Sequence, residues 1–384
     1  MNEKLIIENY RHIGGIHCWT TSLRNLFAYH NLEFSEEMIF GLGAGVGFMY
    51  WYMKMMLAPF IGTRYGKTNS LIKTCQRIGG DATIFETTSI KRGYEELINV
   101  LREGEPVFVF ADMAYLPYLA LPGVAHSIVV YGLDEKEDKV YVSDAAKTPL
   151  IISIEDLKKA RSSKYPPYAP KHKILKIKYP IKLKNLKSGI TDAIKECIDN
   201  YLYPPIKNIG QLGIKKWAGL VLSWPKQFKG LNLFGCLLNT YIFIEESGSG
   251  GGGYRNTYAQ FLKESSLILD EPKLMDAVKL FEEAGKYWSE LAIAALPDSW
   301  PLLKKSRELA VEKNKIFEEQ KPGALKKMRE ITKKSEKVMI EAAEKLDNSE
   351  EEDIELLLRD IKDKIMQVYE KDKIAFSTLN NIVG

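Results

Sequence analysis

Residues 126–144 read HSIVVYGLDEKEDKVYVSD, and their pattern decides the fold of the first half of the chain. His126 to Tyr131 (HSIVVY) and Lys139 to Ser143 (KVYVS) are β-branched and aromatic runs, which predicts two short strands. The turn-rich Asp134 to Asp138 joins them as an antiparallel hairpin. In such a pair the start of the first strand lies beside the end of the second. His126 and Asp144 are therefore expected to be neighbours.

Upstream, Ile90 to Arg102 reads as a helix that stops at Glu103-Gly104-Glu105-Pro106, before an apolar strand at Val107 to Ala111 (VFVFA). Ala114 to Val124 is a loop pinned by Pro117 and Pro122. Nearer the start, Leu23, Leu26, Phe27 and His30 recur at helical spacing, so a helix begins at or near Cys18 and runs to about Leu32. Ser35, followed by Glu36 and Glu37, is an N-cap with first-turn acids for a second helix. Gly41 to Gly62 is apolar over about the length of a membrane span, but Lys54, Pro59 and its glycines favour a buried wall or an acyl-binding channel.

Beyond Ser188 almost everything reads as helix, broken by Ser247 to Gly253 (SGSGGGG). Ile354, Leu357, Leu358, Ile361 and Ile365 show the amphipathic spacing of the last hundred or so residues. At 384 residues the chain suits two domains of roughly 150 residues better than one. The expected division is residues 1–180, α+β with an antiparallel sheet, and residues 181–384, all-α. With 45% hydrophobic and 27% charged residues the chain has an ordinary globular balance, which excludes disordered and fibrous classes.

A formal charge of +4 says little about partners, and no nucleic-acid partner is expected. Its distribution says more: Lys158 to Lys187 carries eleven Lys or Arg and no acid. Within it Lys171, Lys173 and Lys176 interleave with apolar residues, the pattern of an edge strand with protective lysines. The four cysteines form no CxxC pair, and no signal peptide is evident, so a reduced, cytoplasmic protein is expected.

A thiol nucleophile needs a helix N-terminus beside an imidazole to favour its thiolate. Cys18 begins a helix, His126 opens a strand, and Asp144 can orient the imidazole through its other nitrogen. The order Cys, His, Asp is also the papain-like order. Asp112, after VFVFA, is a rival orienter. Cys75, Cys197 and Cys236 read as small buried hydrophobes. The Cys18 amide is the expected oxyanion donor, with His12 a weaker one at roughly the papain-like position. No acidic cluster joins His12, His17 and His126 at metal-ligand spacing, so no metal is expected. The glycines from Gly41 to Gly47 lack the preceding strand that a dinucleotide loop requires.

His17-Cys18 followed by Thr21-Ser22-Leu23-Arg24-Asn25-Leu26, then Ser35-Glu36 and Phe40 to Phe48, resembles the opening of the butirosin biosynthesis protein H N-terminal family. The hairpin from His126 to Gly132 and from Tyr141 to Asp144 is similar to that family and to papain-like peptidases that process double-glycine leaders. The helical half, at Gly250 to Arg255 and Phe261 to Glu264, resembles the uncharacterised domain that often follows. The resemblance implies a papain-like N-terminal domain. It further implies acyl transfer from a carrier-protein or CoA-type thioester to an amine, with a cysteine as acyl-enzyme nucleophile.

On that reading no cofactor is bound and a phosphopantetheine thioester is substrate. Gly250, Gly251, Gly252 and Gly253 precede a helix and, with Arg255, are expected either to hold the pantetheine phosphate or to form a hinge. Lys171, Lys173 and Lys176 are expected either to dock an acidic acyl-carrier protein or only to guard an edge. A papain-like peptidase or amidase, and a non-catalytic scaffold, are the alternative readings.

Overall fold

A computed structural model describes residues 3–65, 68–119, 125–165, 169–183 and 186–384. Residues 120–124 of the expected proline-pinned loop, and 166–168 and 184–185 of the basic stretch, lie outside the described residues. The strands are β1 (Lys4–Ile6), β2 (Val46–Trp51), β3 (Phe60–Arg64), β4 (Asp81–Phe85), β5 (Val107–Asp112), β6 (Ala125–Asp134), β7 (Lys139–Ser143), β8 (Leu150–Ile152) and β9 (Ile174–Lys178). The first helices are α1 (Cys18–Tyr29), α2 (Glu36–Leu42), α3 (Thr68–Arg77), α4 (Ile90–Arg102) and α5 (Ile154–Ser162). Then follow α6 (Leu186–Leu202), α7 (Gly210–Leu220), α8 (Trp224–Gln227), α9 (Leu231–Tyr241), α10 (Arg255–Leu269), α11 (Leu274–Ala295), α12 (Pro301–Glu319), α13 (Ala324–Asp347) and α14 (Glu351–Val383). The chain is α+β, with an antiparallel sheet in its first half and helices in its second.

Packing divides it into two units, Met1–Ile39 with Leu71–Asn185 and Lys315–Arg329, and Phe40–Ser70 with Leu186–Asn314 and Glu330–Gly384. The main change of unit falls close to the expected cut at residue 180, but a single cut does not describe the packing. Phe40–Ser70 leaves the N-terminal unit because its β2–β3 hairpin buries its apolar residues among the later helices of its own unit.

The N-terminal unit is built on one antiparallel sheet in the order β4-β9-β5-β6-β7-β8, with β1 pairing the far end of β6. β9 is thus an interior strand, held by β4 on one side and β5 on the other, and not the expected edge. Leu97, Ile98 and Leu101 of α4, Leu157 and Ala160 of α5, and the inward residues of β5 to β7 form its core. Ser89 caps α4 by accepting the Arg92 N–H, and Ser153 caps α5 by accepting the Asp156 N–H.

In the second unit, Gly41 to Gly62 supplies a β-hairpin, and no helix among the described residues is long and apolar enough to cross a membrane. Its glycines serve close packing. A Cβ at Gly41 would meet the Phe261 ring at 2.1 Å, and one at Gly47 the Tyr65 ring at 2.1 Å. Phe48 stacks on Trp217 with centroids 5.6 Å apart. Ile354, Leu357, Leu358, Ile361 and Ile365 form the buried stripe of α14.

Candidate active site

The segment before α1 is fastened residue by residue. Asn25 accepts the Ile13 N–H at 2.8 Å and donates to the Ile13 carbonyl at 2.8 Å. Arg24 donates to the Gly14 carbonyl, and the Gly15 N–H to the Ala145 carbonyl at 2.9 Å. A Cβ at Gly15 would stand 2.1 Å from Thr21 Oγ1 and 2.5 Å from Glu36 Oε2, so only glycine lets the chain pass there. Glu36, 6% exposed, then accepts the N–H of Ile16 at 3.0 Å, the N–H of His17 at 2.7 Å, and the hydroxyls of Thr20 and Thr21 at 2.7 and 2.9 Å. These bonds set extended backbone at His17 and start α1 at Cys18, which is part-exposed while the other three cysteines are buried.

His126 and Asp144 meet through a register detail. Near the turn, Gly132 pairs with Tyr141 and Asp134 with Lys139, whereas beyond Tyr131 the partners become Val130 with Val142 and Val129 with Ser143. Tyr131 is therefore the extra residue of a bulge. Carried one step on, the shifted register sets Asp144 across from Ile128, on the same face as His126 and one diagonal step away. In the register of the turn, His126 and Asp144 would point to opposite faces, because a slip of one residue reverses every side chain.

His126 Nε2 lies 2.7 Å from Asp144 Oδ2, both side chains being buried. Burial is the largest influence on the imidazole and disfavours its charge. The Asp144 carboxylate, the Cys18 sulfur and hydrogen bonds to both outweigh it, and lift its pKa to about 10. With Nε2 engaged by Asp144, Nδ1 is the nitrogen left for Cys18. Asp144 also takes the Tyr118 hydroxyl at 3.0 Å on Oδ2 and the Ala145 N–H at 2.7 Å on Oδ1.

The remaining predicted residues fare differently. Asp112 accepts the Ala114 N–H at 3.0 Å and the Ser163 hydroxyl at 2.6 Å, so it serves a turn. His12 has Nε2 2.8 Å from the Ala146 carbonyl and Nδ1 2.6 Å from Ser143 Oγ. The carbonyl requires the proton on Nε2, so Nδ1 accepts from Ser143 and neither nitrogen is available to an oxyanion. Burial lowers its pKa, which suits this neutral role as a brace on the strand that carries Asp144.

The glycine segment does not present a phosphate cradle. Arg255 is fully buried, forms two hydrogen bonds with the Asp372 carboxylate, and donates to the carbonyls of Thr63 at 2.9 Å and Gly253 at 2.7 Å. Its guanidinium lies over the Trp288 ring, 4.5 Å from the centroid. The Gly252 N–H donates to the Glu245 carboxylate at 3.0 Å, an acid that would repel phosphate. Gly250 to Gly253 all have positive φ, and a Cβ at Gly252 would stand 2.8 Å from the Gly285 carbonyl. The segment packs tightly within its own unit. The lysines are balanced too: Lys171 and Lys173 pair with Glu86 at 3.1 and 3.4 Å, and Lys176 pairs with Glu96. The basic run lacks acids in sequence, but Glu86, just after β4, and Glu96 of α4 stand against it.

In the sequence Glu36 reads only as a helix-start acid, and Tyr118 only as a loop residue. Paired threonines at Thr20 and Thr21, three and four residues into the Cys18 turn, were the available signal for a buried carboxylate. Nothing in the loop around Tyr118 marked it. Among the described residues no group of three or more His, Cys, Asp or Glu is placed to hold a metal ion.

Comparison with curated proteins gives no match. The family model for butirosin biosynthesis protein H, N-terminal, matches residues 17–145, a span that contains Cys18, His126 and Asp144. A second model, a domain of unknown function (DUF4872), matches residues 155–316. Residues 17–145 therefore match the butirosin biosynthesis protein H N-terminal family, followed in this chain by a match to a domain of unknown function.

Proposed function

We propose that the chain is a cysteine-dependent acyltransferase of papain-like design, with Cys18 as nucleophile, His126 as acid and base, and Asp144 as its orienting partner. The observation that carries this reading is the placement of one buried imidazole between a carboxylate at 2.7 Å and the thiol that opens α1. The family match supports a biosynthetic, enzyme-like role. The expected donor is the phosphopantetheine thioester of an acyl-carrier protein, or a CoA-type thioester, and the acceptor a small-molecule amine.

The resting pair is thiolate and imidazolium. Cys18 sulfur attacks the thioester carbonyl, the C–S bond to the donor breaks, and His126 gives its proton to the departing thiol. The Cys18 amide, at the helix N-terminus, faces the developing oxyanion. Acylation removes the thiolate charge that helped hold the proton on His126, so the neutral imidazole is then fit to take a proton from the amine. The amine attacks, the amide leaves, and thiolate and imidazolium are restored. A hydrolase would use the same groups with water as acceptor, and an intact triad weighs against a scaffold role.

Partitioning tests the reading. With an acyl-N-acetylcysteamine thioester and rising amine concentration, amide should replace free acid while the initial burst of thiol release stays amine-independent. Free acid alone, with every amine tried, would point to the hydrolase.

A further inference from the structure

Tyr118 is a buried titratable group beside the triad that the proposed chemistry does not use. Its hydroxyl donates to Asp144 Oδ2 at 3.0 Å, the same oxygen that faces His126 Nε2 at 2.7 Å. Its ring lies near-parallel to Phe317, with centroids 6.1 Å apart at 15°. Phe317 stands in Lys315–Arg329, the late segment that belongs to the N-terminal unit. The next residue, Glu318, accepts the Lys147 N–H at 2.9 Å, three residues after Asp144. One stretch of chain thus touches both Tyr118 and the loop that carries Asp144.

From this geometry we infer that Tyr118 is a positioning residue that fixes the Asp144 carboxylate toward His126, and that Phe317 holds Tyr118 in place. The torsion that turns an aspartate carboxylate is soft, so packing alone sets it poorly. Three donors set it here: Ala145 N–H on Oδ1, and Tyr118 and His126 on Oδ2. Burial, and then the Asp144 charge, raise the Tyr118 pKa well above its ordinary value, so the phenol stays a donor at any working pH. The groups around His126 are Cys18 from α1, Asp144 from the hairpin end and Tyr118, with His12 behind Asp144. The two family spans stop at residues 145 and 316, so neither includes Phe317. The late segment completes the site all the same.

The inference rests on the triad reading, and its test separates the two. The full chain carrying Cys18→Ala, labelled with ring-13C histidine, has five histidines to follow by NMR titration. Removing the thiol brings the His126 titration into a convenient range. Added to that parent, Tyr118→Phe keeps the ring and its stack but lets the Asp144 carboxylate turn away from the imidazole, and should lower the His126 pKa by roughly half a unit to one unit. Phe317→Ala should shift it in the same direction by less. Should that variant fail to fold, Phe317→Leu carries the arm, since it removes the stack but keeps most of the volume. A His126 titration unmoved by both substitutions overturns the positioning role and leaves the triad standing. A parent His126 that titrates as an ordinary exposed histidine overturns the triad reading and this inference with it.

Discussion

The Glu36 carboxylate accepts the His17 N–H at 2.7 Å, so a buried acid holds the residue immediately before Cys18. Glu36→Gln turns one acceptor into a donor facing backbone N–H groups and threonine hydroxyls. A buried mismatch of this kind costs ~1–3 kcal/mol. Thermal unfolding should come earlier, and alkylation of Cys18 by iodoacetamide should slow. The exposed Glu33→Gln is the control and should change neither. A Glu36→Gln protein with unaltered Cys18 reactivity would show that the clamp does not position the nucleophile.

Thiol reactivity should be strongly site-selective. Cys75 is buried and its pKa is pushed up to about 12 by burial, and burial also raises that of Cys236. Cys197 is buried against the Val46 carbonyl. Iodoacetamide at neutral pH should therefore label Cys18 first in the folded protein, and His126→Ala should slow that labelling. Peptide mapping that finds equal labelling at all four cysteines would contradict an activated Cys18.

The raised His126 pKa fixes a pH signature of stability. The folded value of about 10 exceeds the ordinary 6.5, so the folded state binds the proton more tightly. The stability this adds is complete below about pH 6.5 and is lost as the pH climbs toward 10. Urea midpoints from pH 6.5 to 10 should fall more steeply for the natural chain than for Asp144→Asn, where only Cys18 is left to oppose the effect of burial on the charged ring. Parallel curves would mean that the ion pair is not formed.

Arg255 and Asp372 make a buried structural pair, and removing one partner leaves an uncompensated charge. Asp372→Asn should cost ~3–5 kcal/mol of stability, read from chemical denaturation. Phosphopantetheine should not raise the unfolding temperature of the natural chain through this segment. Protection by phosphopantetheine that disappears in Arg255→Lys would restore a phosphate role.

Reversing Lys171, Lys173 and Lys176 to Glu breaks pairs that are partly exposed and worth at most about 1 kcal/mol each. Stability should fall slightly, and acyl loading from a carrier protein should keep its rate and its salt dependence. A selective loss of carrier loading at low ionic strength would return these lysines to a docking role.

The local elements were legible because each has local causes. Cys18 opens its helix, and Ile90 to Arg102 is bounded by Ser89 and by Gly104. What failed depended on partners distant in sequence. β9 looked like an edge strand because Asp81–Phe85, which covers it, carries only a short and mixed apolar pattern. Arg255 looked available for phosphate because Asp372 lies more than a hundred residues away. The hairpin was foreseen, but not the Tyr131 bulge on which the meeting of His126 and Asp144 depends. Glu36 and Tyr118 act through burial, which a single sequence does not display.

If Cys18 carries the acyl group, intact mass spectrometry will detect it. The full chain, mixed with an acyl-N-acetylcysteamine thioester and quenched in acid, should gain the mass of one acyl group. The adduct should map to the peptide containing Cys18, be absent from Cys18→Ala, and disappear on addition of an amine as the amide forms. No adduct under any loading condition, or an equal adduct on Cys18→Ala, would contradict the account.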